Sequence, residues 1–321
     1  MIVDLPDTTT SGISKTLVKL REEGGAVALG RVLTLIIAAD ESAAEEAIEA
    51  ANDASREHPM RVIVIATDPE SSSEEAPRLD AEIRVGGDAG ASEVIMLRPR
   101  GEAAIDEQSL VMALLLPDAP VVVWWPGRAP EVPGDSPLGR IALRRITDAS
   151  SRTSDPQQAL DRCARTYTPG DTDFAWTRTT LWRAQLAAVL DQPPYENITA
   201  VEVSGSAESP STTLLAAWLH QALQCETRYA LTGEDHPQGI HGVRLFRDDE
   251  SIDLVRVTSR IATLTQPGQP SHEVALQRRS LRDCLSDELR RLDPDELYGQ
   301  VITTGLASLG EPTEITTGAL A

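Results

Sequence analysis

Pro120-Val121-Val122-Val123-Trp124-Trp125-Pro126-Gly127 is the segment that most restricts how this chain folds. Three β-branched residues in succession match a strand buried on both faces, as found inside a parallel sheet. Proline cannot donate to a ladder, so Pro126 closes the strand and leaves both tryptophans where it exits the sheet. In open α/β sheets the carboxyl ends of the strands are where ligands and partners collect. With only 5 Trp and 2 Phe in the chain, the pair concentrates much of its aromatic surface at one place. Trp124 and Trp125, with Arg128 just beyond, are therefore candidates for a binding role. The competing reading is structural: one ring caps the core and the other lies under a loop.

Around this strand the first half alternates helix and strand patterns. Ser11 can cap a helix with Ile13, Leu17 and Leu20 at helical spacing, stopped by Gly24-Gly25. A buried strand over 31–38 leads to Ser42-Ala43-Ala44-Glu45, a capping box that opens a helix to about Arg56. Strands over 60–66, 81–85 and 93–97 follow, with a polar loop at Ser71-Ser72-Ser73 and helices over 105–116 and 138–146. Alternation of this kind argues a mostly parallel sheet with helices on both faces, an α/β domain over 1–165.

Residues 166–321 read as a second, α+β domain. It opens with the aromatic helix 174–190, N-capped by Asp173. A strand over 198–204 and a helix over 211–225 precede four alternating runs, 243–247, 252–257, 261–265 and 273–277. Turns at Asp248-Asp249-Glu250 and Gln266-Pro267-Gly268 make these an antiparallel meander. A helix over 281–292 and another starting at Asp293-Pro294 close the chain.

Charge excludes some partners. With 50 acidic against 29 basic residues, a net charge of −21 repels the phosphate backbone of nucleic acids and anionic membrane surfaces alike. Met1-Ile2-Val3-Asp4-Leu5 has neither the basic nor the apolar region of a secretory signal, and the apolar runs are short of a membrane span. Cys163, Cys225 and Cys284, odd in number and widely separated, suit free thiols in a reducing cytoplasm.

A search for chemistry returns little. His236 and His241 flank a Pro-Gly turn without a third ligand, so no metal is expected. Ser204-Gly205-Ser206 lacks the second glycine of a nucleophile elbow, and no cysteine has a neighbouring histidine. Gly86-Gly87-Asp88-Ala89-Gly90 fails dinucleotide spacing and reads as a tight turn, so no cofactor is expected. Gly205-Ser206-Ala207-Glu208-Ser209-Pro210-Ser211-Thr212 lies between a strand and a helix, where helix N–H groups can hold an anion. Ser206, Ser209 and Ser211 are its candidate ligands; Glu208 opposes an anion, and the same residues make an ordinary helix cap. Trp176, Thr179 and Arg183 recur at helical spacing, with Arg178 close by, while Trp182, Leu186 and Val189 form a more apolar, core-like stripe. Trp and Arg dominate binding energy at protein interfaces. Arg140, Arg144 and Arg145 read as members of intramolecular ion pairs.

Longer strings carry a resemblance. They are Leu20-Arg21-Glu22-Glu23-Gly24-Gly25-Ala26-Val27-Ala28-Leu29-Gly30-Arg31-Val32-Leu33-Thr34-Leu35, the glycine-rich segment at 86–94, the Trp-Trp-Pro-Gly segment and Arg145-Ile146-Thr147-Asp148. To these add Thr172-Asp173-Phe174-Ala175-Trp176-Thr177-Arg178 and Leu181-Trp182-Arg183. In this order the chain resembles the glucose-6-phosphate dehydrogenase assembly protein family, OpcA, in its actinobacterial form, from residue 1 to about residue 300. The resemblance implies a non-catalytic, cytoplasmic partner that binds and activates the first enzyme of the oxidative pentose phosphate pathway. NADP and glucose 6-phosphate would then belong to the dehydrogenase. On that reading Trp124, Trp125, Arg128, Trp176, Arg178 and Arg183 are candidate partner contacts and Trp182 is core. Cyanobacterial members of that family respond to thioredoxin through a pair of cysteines; none of the three cysteines here matches that pair, so weak redox control is expected. Two alternatives remain: a sugar-phosphate enzyme such as a lactone hydrolase of the same pathway, or a metabolite-sensing regulator.

Overall fold

Leu33-Thr34-Leu35-Ile36-Ile37 and Val62-Ile63-Val64-Ile65 are runs with no exposed side, and both become central strands of a sheet. The computed structural model describes residues 1–23, 30–70, 74–86, 93–150, 155–193, 195–233, 238–248 and 250–313. The Gly24-Gly25 helix stop, the 71–73 loop, the 87–90 part of the glycine turn, His236 and Asp249 lie outside them. Residue contacts divide the chain into two units. One comprises Met1–Asp148, Gly170–Thr172 and Ser280–Pro294; the other comprises Ala149–Pro169, Asp173–Arg279 and Asp295–Ala321. The units thus interleave along the chain, where the sequence reading has a single cut after residue 165.

In the first unit the strands are β1 (Ile2–Leu5), β2 (Leu33–Asp40), β3 (Met60–Thr67), β4 (Arg78–Val85), β5 (Glu93–Arg100), β6 (Val121–Trp124), β7 (Arg144–Thr147) and β8 (Asp171–Asp173). Among the described residues they form one sheet in the order β1-β4-β5-β3-β2-β6-β7-β8. The run β5-β3-β2-β6-β7 is parallel, and β4 and β1 add an antiparallel edge. Alternate side chains divide between the faces. Ile36, Ile63, Ile65 and Val123 pack with Ile13 and Leu17 of the helix Thr10–Glu23 and with Leu110 and Val111 of the helix Glu107–Met112. The helix Glu41–Ala54 packs on β2 and β3 through an alanine-rich face, and the helix Leu281–Arg290 packs against it. Small Ala43, Ala47 and Ala51 side chains let that helix approach the sheet closely.

Three local expectations are corrected. The helix at 41 starts before Ser42, with Asp40 at its N-cap, so Ser42 does not cap it. Ser11 lies inside its helix, where Thr9 Oγ1 accepts from Gly12 N–H (3.1 Å). Residues 138–146 are not a helix but a short 3-10 turn, Gly139–Ile141, followed by β7. Leu143 N–H donates to Val121 and Trp125 N–H to Ile146, so ladder bonds to β6 outweigh the local helical pattern.

The second unit carries β9 (Ala200–Ser206), β10 (Glu226–Thr232), β11 (Ile240–Arg247), β12 (Glu250–Arg256), β13 (Ile261–Thr265) and β14 (His272–Ala275), in the order β10-β9-β11-β12-β13-β14. From β9 to β14 every pairing is antiparallel, the expected meander, while β10 joins β9 in parallel through the crossover helix Pro210–Leu223. The aromatic segment is two helices, Phe174–Thr177 and Thr180–Leu190. Asp173 caps the first as expected, accepting from Ala175 N–H (2.8 Å). The last helix is capped by Asp295, not Asp293: Asp295 Oδ1 accepts from Tyr298 N–H (2.9 Å).

Candidate functional site

Trp124, Trp125 and Trp176 have at most 3% of their surface exposed. A side chain without surface cannot anchor a partner docking on this fold, so these three are core. Trp125 packs with Val123 and Leu138 on one face of the first sheet, and Trp124 falls on the other by alternation. Trp176 is held on several sides in the second unit. Its Nε1 donates to Asp295 Oδ2 (2.9 Å), Tyr298 lies 5.8 Å away between ring centroids, and Arg183 Cζ sits 3.7 Å from the Trp176 centroid. Trp182 is core, as the apolar stripe implied.

The arginines differ. Arg128 is exposed, and Arg178 and Arg183 are half-buried. Arg178 Nη1 donates to Ser150 Oγ (2.8 Å), and Arg183 Nε donates to Thr179 Oγ1 (2.9 Å). Arg144 and Arg145 are buried in ion pairs with Glu288 and Asp171. Arg140 Nη1 instead donates to the Asp135 carbonyl (2.6 Å).

The serine candidates surround the start of the helix Pro210–Leu223. Ser206 Oγ accepts from Glu208 N–H (3.2 Å), and Ser211 Oγ donates to the Ala175 carbonyl (2.8 Å). Ser209 is the N-cap, and its side chain makes no capping bond. A Cβ on Gly205 would stand 2.2 Å from Thr212 Oγ1, so only glycine lets the strand end pass this close to the helix. Ser209 and Ser211 line a cavity of about 640 Å³ in the second unit. Arg178, Arg256, Arg278 and Arg279 line the same cavity, against the carboxylates Asp155 and Glu208. Both carboxylates are engaged: Asp155 accepts from Gln158 N–H (2.9 Å), and Glu208 Oε2 accepts from Gln238 Nε2 (3.2 Å).

Sequence reasoning missed Arg256, Arg278 and Arg279. They come from the end of β12 and from the segment after β14, far in sequence from the serines, and only the meander brings them to the helix start. The adjacent Arg278-Arg279 pair was the available signal.

Among the described residues no group of three or more His, Cys, Asp or Glu could hold a metal ion, and no helix is long and apolar enough to cross a membrane. His241 lies in β11 rather than in a turn. Cys284 is buried, Cys163 and Cys225 are half-buried, and burial pushes the Cys225 thiol up.

Two family models match the chain. One describes the N-terminal domain of the glucose-6-phosphate dehydrogenase subunit and covers residues 51–165. The other describes the C-terminal domain of the same family and covers residues 169–302. No curated protein matches the sequence. Among solved structures, an oxidoreductase from Pseudomonas syringae is 8% identical over 88% of this chain and 92% of its own, with a TM-score of 0.44. A glucose-6-phosphate 1-dehydrogenase from Mycobacterium avium is 10% identical over 85% and 90%, with a TM-score of 0.43. Likeness at this level carries no conclusion about activity.

Proposed function

Because the chain belongs to the OpcA family of glucose-6-phosphate dehydrogenase subunits and carries both of its domains in order, we propose that it is a non-catalytic subunit that binds this dehydrogenase and raises its activity in the oxidative pentose phosphate pathway. The observation that carries this reading is the pair of matches spanning both units. Activation by a binding partner requires differential affinity: the subunit binds the more active conformation of the enzyme more tightly and shifts its population. NADP and glucose 6-phosphate then act in the dehydrogenase, in the cytoplasm, and the protein is of the actinobacterial form.

With three tryptophans in the core, the remaining partner-contact candidates are Arg128, Arg178 and Arg183. Arg128 is the most accessible of them, and an exposed guanidinium beside a strand end suits a carboxylate on a partner surface. The proposed domain division remains 1–165 and 166–321, close to the gap between the two matched segments.

Co-purification with the cognate dehydrogenase, followed by kinetics with and without this chain, tests the reading. A stable complex with raised kcat or lowered KM is expected. Dehydrogenase or lactonase turnover by the purified chain alone, abolished by substitution of one carboxylate or histidine, would overturn it.

A further inference from the structure

Arg256 is a half-buried cation whose partners are carbonyls. Its Nε donates to Ile240 O (3.2 Å), and its Nη1 donates to Leu276 O (2.6 Å), Ser259 O (3.2 Å) and Thr258 O (3.3 Å). Its Cζ stands 5.2 Å from the Trp182 ring centroid. Four carbonyls and an aromatic face fix this guanidinium in place without neutralising it. Among the described residues no carboxylate pairs with Arg256 or with Arg278, which lines the same cavity. Burial first, and then the nearby Arg278 charge, pull the Arg256 pKa down to about 10. Gly239, with φ of +87°, brings bare backbone up to Arg278: a Cβ there would lie 3.8 Å from Arg278 Cζ.

Arg256 and Arg278 line one cavity and repel each other there, a repulsion that a bound anion would relieve. Elsewhere in the described structure, arginines such as Arg61, Arg84, Arg144 and Arg145 find carboxylates. The carboxylates that line this cavity, Asp155 and Glu208, accept hydrogen bonds from Gln158 N–H and Gln238 Nε2. The start of the helix Pro210–Leu223, with its uncapped Ser209, adds a positive dipole end at the same cavity.

We propose that this cavity binds a phosphomonoester with a hydroxylated body, its phosphate held by Arg256 and Arg278 and its hydroxyl groups facing Gln238, Gln277 and Ser209. A guanidinium fork matches phosphate oxygens two at a time, and Arg278 presents one; Arg256, whose Nε and Nη1 are held by carbonyls, adds Nη2 and its charge. A volume of about 640 Å³ falls in the range of small-molecule sites and exceeds what inorganic phosphate fills. The amides and hydroxyl along the wall offer both donors and acceptors, the chemistry that reads polyols. The site lies within the second unit and does not depend on the dehydrogenase reading.

The test uses the full-length chain alone, by calorimetry and thermal unfolding, with glucose 6-phosphate, ribose 5-phosphate, glucose and inorganic phosphate as probes. At least one sugar phosphate is expected to bind saturably and raise Tm, with glucose inert and inorganic phosphate at least tenfold weaker. Arg278→Gln, which removes an exposed charge, should keep the unliganded Tm and weaken sugar-phosphate binding tenfold or more. Saturable binding by neither sugar phosphate, or undiminished binding by Arg278→Gln, overturns the site. Equal affinity for inorganic phosphate overturns recognition of the hydroxylated body. Because no dehydrogenase is present, each of these failures leaves the assembly reading standing.

Discussion

Arg183 Cζ sits 3.7 Å from the ring centroid of Trp176, so the two residues that looked most like interface anchors in sequence are partners of each other. With Tyr298 packed nearby and Asp295 accepting from the indole N–H, Trp176 is a core residue with a satisfied polar tip. Trp176→Ala is expected to cost about 3–5 kcal/mol of stability, the usual range for a buried aromatic. Denaturant unfolding would measure it. A variant that kept its midpoint yet lost dehydrogenase binding would contradict the core placement.

Arg128 gives the opposite expectation. It is exposed, so Arg128→Ala should change stability by less than about 0.5 kcal/mol. If it meets the dehydrogenase, association slows and its dependence on salt weakens, as for a charge at an interface rim. Stopped-flow association at two ionic strengths reads both; unchanged rates at each would remove Arg128 from the interface.

Arg144 and Glu288 are both buried, and they join β7 to the helix Leu281–Arg290 within the first unit. Arg144 also donates to the Asp293 carbonyl (2.7 Å). Glu288→Gln should destabilise the chain by about 3–5 kcal/mol, because it leaves a buried guanidinium without its counter-charge. Replacing both residues with methionine should recover most of that loss, since the desolvation of both charges disappears together. Unfolding of the single and double variants separates the two terms; a double variant no more stable than the single would argue against this account.

Glu107 supplies a pH dependence. Burial raises its carboxyl above the ordinary value. The fold therefore favours the protonated form, whose stabilising contribution is complete below the unfolded pKa and is lost as pH rises through the folded one. Glu107→Gln mimics the protonated side chain at every pH. It should be more stable than the parent at pH 7 and equal to it in acid, a difference that melting curves across the acid range would show. A gap that stayed constant with pH would mean that the residue does not titrate in this way.

Much of the architecture was legible because the sheet strands carry their own pattern. Runs such as Leu35-Ile36-Ile37 and Val62-Ile63-Val64 are buried on both faces, and continuous apolar sequence has few other uses. The meander was equally plain, since period-two alternation between polar turns fixes which face is buried. Less visible were short strands whose only signature is a partner. β7 is Arg144-Arg145-Ile146-Thr147, two charged residues that belong in a core only because Glu288 and Asp171 neutralise them there. β10 escaped notice because Glu226-Thr227-Arg228 reads as surface, and its parallel pairing with β9 is made across a helix.

Periodicity and long matching strings are local or linear properties, so the two sheet types, their order along the chain and the family can be read from the residues before any folding. Tertiary structure alone decided which tryptophans have a surface and where the unpaired positive charge gathers. Burial depends on what packs above a residue, and Arg256, Arg278 and the helix start at Pro210 share a cavity only once the strands between them have paired.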